Sequence, residues 1–185
     1  RRLIETFLLS LASPFLPDAR LRSMASLAPG ALDAFNRRGA EGRPLVLATL
    51  HLAHWEAQSW VGLLSPVPIG EIATIYRPLN HAGADAFVKR TRERFGMRLL
   101  SRKNGLIESA HLLKRNGAVG VLFDQNAGMQ GALTTLFGRV CSSSQLVGLL
   151  AERSGAVVRT FYPRRTAFWR LCLDSDPIPF DGTCD

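Results

Sequence analysis

The chain has 185 residues, enough for one domain with a sizeable core, and 46% hydrophobic with 21% charged residues is a globular rather than a disordered or fibrous composition. No run of 18 uninterrupted apolar residues occurs, so nothing in the sequence reads as a bilayer-spanning helix. The net charge of +8 favours an acidic partner: anionic lipid headgroups, a phosphorylated substrate, the acidic surface of a carrier protein, or nucleic acid.

Residues 3–16 are apolar apart from Glu5, and Pro14 and Pro17 close the run. They read as a short amphipathic helix packed on the domain, with a membrane surface as the alternative docking partner; the run is too short and wrongly flanked for a signal peptide. Leu21, Met24 and Leu27 recur at helical spacing, and with residues 31–38 they predict two further short helices broken at Pro29 and Gly30. Gly42, Arg43 and Pro44 punctuate the entry to residues 44–50, an apolar run that reads as a buried strand. The segment His51-Leu52-Ala53-His54-Trp55-Glu56 follows directly, and residues 57–64 are apolar for long enough to form a short helix. Residues 69–76 read as a second strand closed by Pro78. Residues 84–95 read as a helix with Phe87, Thr91 and Phe95 on an inward stripe.

Further on, residues 97–100 predict a short strand and residues 106–115 a helix, with Lys114 and Arg115 in its last turn and Gly117 just past it. Residues 118–123 form the clearest buried strand. Residues 142–153 predict a serine-capped helix stopped by Gly155, and residues 157–162 and 168–173 two last strands, with a hairpin around Arg164 and Arg165 as one way to join them. Strands alternating with helices predict a single α/β domain, a layered mixed sheet flanked by helices. Cys141, Cys172 and Cys184 are an odd set without C-x-x-C spacing, which indicates neither a disulfide framework nor a zinc site and suits a reducing compartment.

The candidate chemistry begins at His51. Five residues of continuous helix turn through roughly 140° net, so His51 and Glu56 meet only if His51 lies on the turn after the strand and Glu56 in the first helical turns. So placed, a neutral imidazole takes a proton from a hydroxyl, and a carboxylate on its other nitrogen fixes the tautomer and stabilises the imidazolium. The plainer alternative is a histidine that caps an element boundary. The spacing H-x2-H-x-E of His51, His54 and Glu56 is not the H-E-x-x-H that sets two imidazoles on one helical face, so no metal is expected.

Four more residues are candidates. Arg77 ends a strand where an α/β sheet presents its ligands, and its guanidinium suits a phosphate or carboxylate, or else a nearby acid at the rim. Arg94 falls near the inward stripe of the helix at 84–95, and Arg92 on the same wheel points away. Asp124 follows the strongest strand; it suits pairing with Arg92 or Arg94 at the floor of a site, or a turn closed on its own backbone. Ser142, Ser143 and Ser144 lack a G-x-S-x-G setting and are a helix cap rather than a nucleophile. The basic residues are spread along the chain without an RNA-recognition or helix-turn-helix signature, so nucleic acid is not expected as a partner.

The box His51, Trp55, Glu56 resembles the H-x4-D/E box of glycerolipid-type acyltransferases, and is closest to the lipid A biosynthesis acyltransferase family, whose box commonly reads G-H-x-G-N-W-E. Tyr76-Arg77-Pro78 resembles that family's Y-R-P segment, and Arg92-Glu93-Arg94-Phe95-Gly96 its basic pair after a helix. Asp124-Gln125-Asn126-Ala127-Gly128 resembles its P-D-Q-D-x-G turn, and Leu136-Phe137-Gly138 with Ser142-Ser143-Ser144 its F-F-G and small-hydroxyl segment. Residues 40–165 carry the match in order and distance. Leu50, His54, Phe123 and Asn126 depart from it, standing where glycine, asparagine, proline and aspartate are usual.

The resemblance implies a glycerol-3-phosphate acyltransferase-like fold and an enzyme without cofactor. It implies fatty acyl transfer from an acyl carrier protein or acyl-CoA thioester to a hydroxyl of an anionic glycolipid, a lipid A precursor, at the cytoplasmic face of the bacterial inner membrane. His51 and Glu56 would be catalytic, and Arg77, Arg92, Arg94 and Asp124 would bind substrate. Members are longer at both ends, so a fragment lacking an N-terminal membrane helix and C-terminal segments is expected. Two rival readings are an acyltransferase for another glycolipid or lysophospholipid, such as a phosphatidylinositol mannoside, and a non-catalytic basic module binding anionic lipid or nucleic acid.

Overall fold

The chain's structure is a computed structural model describing residues 2–178; Cys184 lies outside the described residues. Helix α1 (Arg2–Ala12) and a 3-10 turn (Ser13–Phe15) occupy the expected amphipathic segment. Helix α2 (Asp18–Met24) stops three residues before Leu27, because the chain straightens into β1 (Ala25–Leu27) and pairs with a strand from the far end of the sequence. Helix α3 (Pro29–Glu41) begins with proline in its first turn, where the missing N–H costs nothing, and ends on Gly42 in the left-handed region.

Next come β2 (Leu45–Thr49), a 3-10 helix (Trp55–Trp60) running into α4 (Val61–Leu64), β3 (Ile72–Tyr76), α5 (Ala82–Glu93), β4 (Met97–Ser101), α6 (Gly105–Lys114) and β5 (Ala118–Leu122). A two-stranded ribbon follows, β6 (Ala132–Leu136) with β7 (Arg139–Ser143), then α7 (Leu146–Ser154), β8 (Val157–Ala167) and β9 (Arg170–Asp174). The seven-stranded sheet has the order β1-β9-β8-β2-β5-β3-β4 and is parallel throughout except for the β8–β9 hairpin. The fold is therefore mixed α/β with a mostly parallel sheet.

All five residues of β2 are buried, as a central parallel strand covered on both faces requires. Alternation sends Leu45 and Leu47 into one core with Trp60, Ile72 and Phe161, and Val46 into the other with Leu112, Val119 and Leu150.

Two expectations are corrected. Ser142 and Ser143 belong to β7 rather than to a helix cap; α7 starts at Leu146, whose amide hydrogen-bonds Ser144 Oγ at 3.3 Å. The ribbon turns at Phe137 and Gly138, both with positive φ as a tight two-residue hairpin demands. The β8–β9 hairpin likewise turns at Phe168 and Trp169, leaving Arg164 and Arg165 inside the ladder opposite Cys172 and Leu171.

Candidate active site

Strand register decides who meets whom. Thr49 on β2 lies opposite Leu122 on β5, and the Phe123 amide donates to the Thr49 carbonyl at 3.2 Å. Two residues further along each chain stand His51 and Asp124, at the C-terminal edge where parallel sheets present their ligand sites. His51 Nδ1 lies 2.7 Å from Asp124 Oδ1, and the His51 amide donates to Oδ2 at 2.8 Å. The carboxylate only accepts, so Nδ1 carries a proton, and in the neutral ring the lone pair is on Nε2. Burial pushes the Asp124 carboxyl up, but the hydrogen bonds from the His51 ring and amide together outweigh it and hold the group below its usual range.

Glu56 is not the partner of His51. The chain leaves β2 through a tight loop with Ala53 at φ 46° and enters a 3-10 helix, whose three-residue turn aims Glu56 at α5. There Arg92 grips it in a fork, Nε to Oε2 at 2.9 Å and Nη2 to Oε1 at 2.6 Å. Trp55 stands between the two pairs: its ring meets the imidazole edge-on at 5.0 Å, and the Arg92 guanidinium lies 4.8 Å from its centroid.

The expected orientations of the two arginines are thus exchanged. Helix α5 has no buried residue and ends at Glu93, so Arg94 sits at its C-cap, outside the periodic stripe. Arg94 pairs with Asp18 and reaches the carbonyls of Leu16 (3.1 Å) and Pro14 (3.4 Å), tying α5 to the first turns of the chain. Neither arginine bonds Asp124, whose oxygens are occupied by His51. Arg77 is exposed one residue past β3, at the same sheet edge; among the described residues no hydrogen bond or ion pair joins it to His51, Asp124, Glu56 or Arg92.

Beneath this array a narrow apolar slot of about 40 Å³ runs between the sheet and the 3-10 helix. Its wall crosses the sheet along one rung, Leu47, Gly120 and Thr74, with Ile72 and Met97 deeper and Trp55, Glu56 and Arg92 at the rim. The missing side chain of Gly120 gives the slot its width mid-strand. Room for little more than a water or so means that a longer occupant must displace the rim side chains.

His54 faces the other way, into a buried cluster. Its Nε2 is 3.8 Å from Glu5 Oε1, and Glu5 accepts from Arg165 Nε (3.1 Å to each oxygen) and from the Trp169 amide (3.0 Å). Burial, outweighing the attraction of Glu5, lowers the His54 pKa and keeps the ring neutral; the Arg165 hydrogen bond leads in lowering that of Glu5. Helix α1 is thereby pinned to the β8–β9 hairpin by Glu5 and Leu9, while Leu3, Ile4, Phe7, Leu8 and Leu11 remain exposed on its outer face beside Phe15.

The sequence matches, over residues 2–169, the family described as bacterial lipid A biosynthesis acyltransferase. The chain belongs to this family. A search of curated proteins found no match. This lipid A biosynthesis acyltransferase family member is therefore an enzyme class member with an acyl donor and a lipid acceptor, on the lysophospholipid acyltransferase-like fold. No helix among the described residues of the acyltransferase is long and apolar enough to cross a membrane. Reading the box by itself missed the His51–Asp124 partnership; the available signal was that each residue lies at the same offset past an apolar strand. Thr49 and Gln58, which line the slot, carried no signal, being a strand threonine and a helix glutamine like many others.

Proposed function

We propose that this chain transfers a fatty acyl group from an acyl carrier protein or acyl-CoA thioester to a hydroxyl of a lipid A precursor. The supporting observation is the 2.7 Å bond that anchors His51 Nδ1 on Asp124 and leaves Nε2 as a base, with the Trp55 ring that touches the imidazole also lining an apolar slot. Nε2 takes the proton of the acceptor hydroxyl as its oxygen attacks the thioester carbonyl carbon. The tetrahedral intermediate then collapses, the carbon–sulfur bond breaks, and the imidazolium returns the proton to the departing thiolate. Asp124, rather than Glu56, stabilises the imidazolium. Glu56 acts through Arg92, holding the guanidinium and Trp55 as the cap that shifts to admit the acyl chain. Arg77, exposed at the sheet edge, suits an anionic group of donor or acceptor. Arg94 serves to anchor α5.

The outer face of α1 suits a bilayer: an exposed contiguous apolar patch marks an interaction surface, and the chain's +8 charge complements anionic headgroups. We place that surface at the cytoplasmic face of the bacterial inner membrane. The test is incubation of the protein with labelled acyl carrier protein or CoA thioesters and, separately, a lipid A precursor, a lysophospholipid and a phosphatidylinositol mannoside in vesicles. Label moving to the lipid A precursor in preference supports the reading; label moving only to another acceptor reassigns the substrate, and no ester with any acceptor contradicts acyl transfer.

A further inference from the structure

A cavity far larger than the slot, an open groove of about 490 Å³, lies between α1 and the β8–β9 hairpin. Ile4 and Leu8 wall it from the helix and Phe168 from the hairpin turn, and its polar lining is Arg2, Glu5 and Arg165. None of these residues lines the slot. Apolar walls with a few convergent polar groups, at this volume, are the make-up of a small-molecule site.

Helix geometry sets the groove beside the face assigned above to a bilayer. On α1, Glu5 and Leu9 are the buried pair, and Leu3, Phe7 and Leu11 form one exposed stripe. Ile4 and Leu8, also exposed, form a second stripe one residue on, about 100° round the helix from each of the other two. The groove therefore opens between the lipid-facing side of α1 and its pinned side.

The polar lining has an unused donor. Glu5 is fully engaged: Arg165 Nε lies 3.1 Å from both its oxygens, Arg165 Nη2 3.0 Å from Oε2, and the Trp169 amide 3.0 Å from Oε1. These contacts occupy one edge of the guanidinium. Nη1, on its other edge, has no hydrogen-bond partner among the described residues, although 34% of the side chain is exposed. Arg2 adds a second positive charge, so two guanidiniums face one carboxylate, and the balance favours an anion. A phosphate matches the open edge of an arginine.

Resting on the reading of α1 as a bilayer-facing helix, we propose that this groove binds one anionic phospholipid of the membrane. Its phosphate sits on the outer edge of Arg165, and an acyl chain lies against Ile4, Leu8 and Phe168. The lipid is a tether rather than a reactant, since the groove shares no residue with the slot.

The experiment titrates the protein by calorimetry with dihexanoyl phosphatidylglycerol below its micelle concentration, and with dihexanoyl phosphatidylcholine as the uncharged-overall control. The anionic lipid should bind saturably, one per chain, and about tenfold tighter than the control. Leu8→Asn combined with Phe168→Ala, and separately Arg2→Gln, should each weaken it about threefold or more, with melting temperatures near the wild type because these side chains are exposed. Leu3, Phe7 and Leu11 changed together to serine should leave this affinity within about twofold while lowering vesicle binding, because they lie on the other stripe. Equal affinity for the two lipids, or an affinity that survives either groove variant, overturns the proposal. Vesicle binding without any binding of the short-chain lipid removes the groove site and leaves the bilayer face of α1 standing; loss of both removes both. Should the double variant not fold, Arg2→Gln and the ratio between the two lipids decide.

Discussion

His51 bonds to Asp124, 73 residues along the chain, and not to the acid five residues away in its own box. The partnership follows from β2 and β5 being parallel neighbours in register, so that equal offsets beyond each strand bring the two side chains together. It separates two jobs that one short motif seemed to combine. Asp124 orients the imidazole, and Glu56 braces Arg92.

Asp124→Asn should leave His51 in place and remove its tautomer control. We expect transfer to fall by roughly 10²–10⁴-fold with the melting temperature little changed. Imidazole nitrogen NMR provides the check: the wild type should show Nδ1 protonated and the variant a mixture of tautomers. An unaltered tautomer with full activity would remove Asp124 from the mechanism.

Glu56 and Arg92 form a bidentate pair with about a fifth to a quarter of each side chain exposed, so they should be strongly coupled. A double-mutant cycle in denaturant unfolding should return about 1–3 kcal/mol between Glu56→Gln and Arg92→Gln. The same cycle between Glu56→Gln and Asp124→Asn should return nearly zero, because the two acids share no partner. A large second coupling would restore Glu56 to the imidazole.

Stability should fall on the acid side because of His54. Its folded pKa lies below the ordinary 6.5, burial being the main cause, so between the folded value and 6.5 the unfolded chain binds more protons. Stability is therefore full above about 6.5 and drains as pH drops toward the folded pKa. Glu5, also lowered, adds a separate loss as pH falls below its ordinary 4.5. Melting temperatures across this range should show both steps, and His54→Asn should erase the upper one while the lower persists.

Leu3, Phe7 and Leu11 lie on one exposed stripe of α1, opposite the pinned Glu5. Changing all three to serine should lower binding to anionic vesicles by about tenfold or more, since each buries a large apolar side chain in the lipid interface. The melting temperature should stay close to that of the wild type, as surface substitutions cost little. Vesicle sedimentation with unchanged binding would assign that face another partner.

Much of this fold can be read from the chain because burial writes itself into periodicity. The apolar runs of β2 and β5 and the Gly155 stop of α7 announce themselves. The β6–β7 ribbon does not, since Leu133, Leu136 and Val140 are exposed and no burial pattern marks its strands. His51, Glu56, Arg92 and Asp124 are each visible as candidates, but their pairing depends on strand order, which no local pattern encodes. The helical wheel misassigned Arg92 and Arg94 because it assumed that α5 continues through residue 95 and has a buried stripe. The helix ends at Glu93, and none of its residues is buried.

Acyl transfer by His51→Ala, measured against the wild type with labelled thioester and a lipid A precursor at matched folded concentration, is the most direct test. The account predicts that ester formation drops to background while thermal melting and vesicle binding are retained. Ester formation within a few-fold of the wild type would show that the imidazole is not the base, and the proposed mechanism would be wrong.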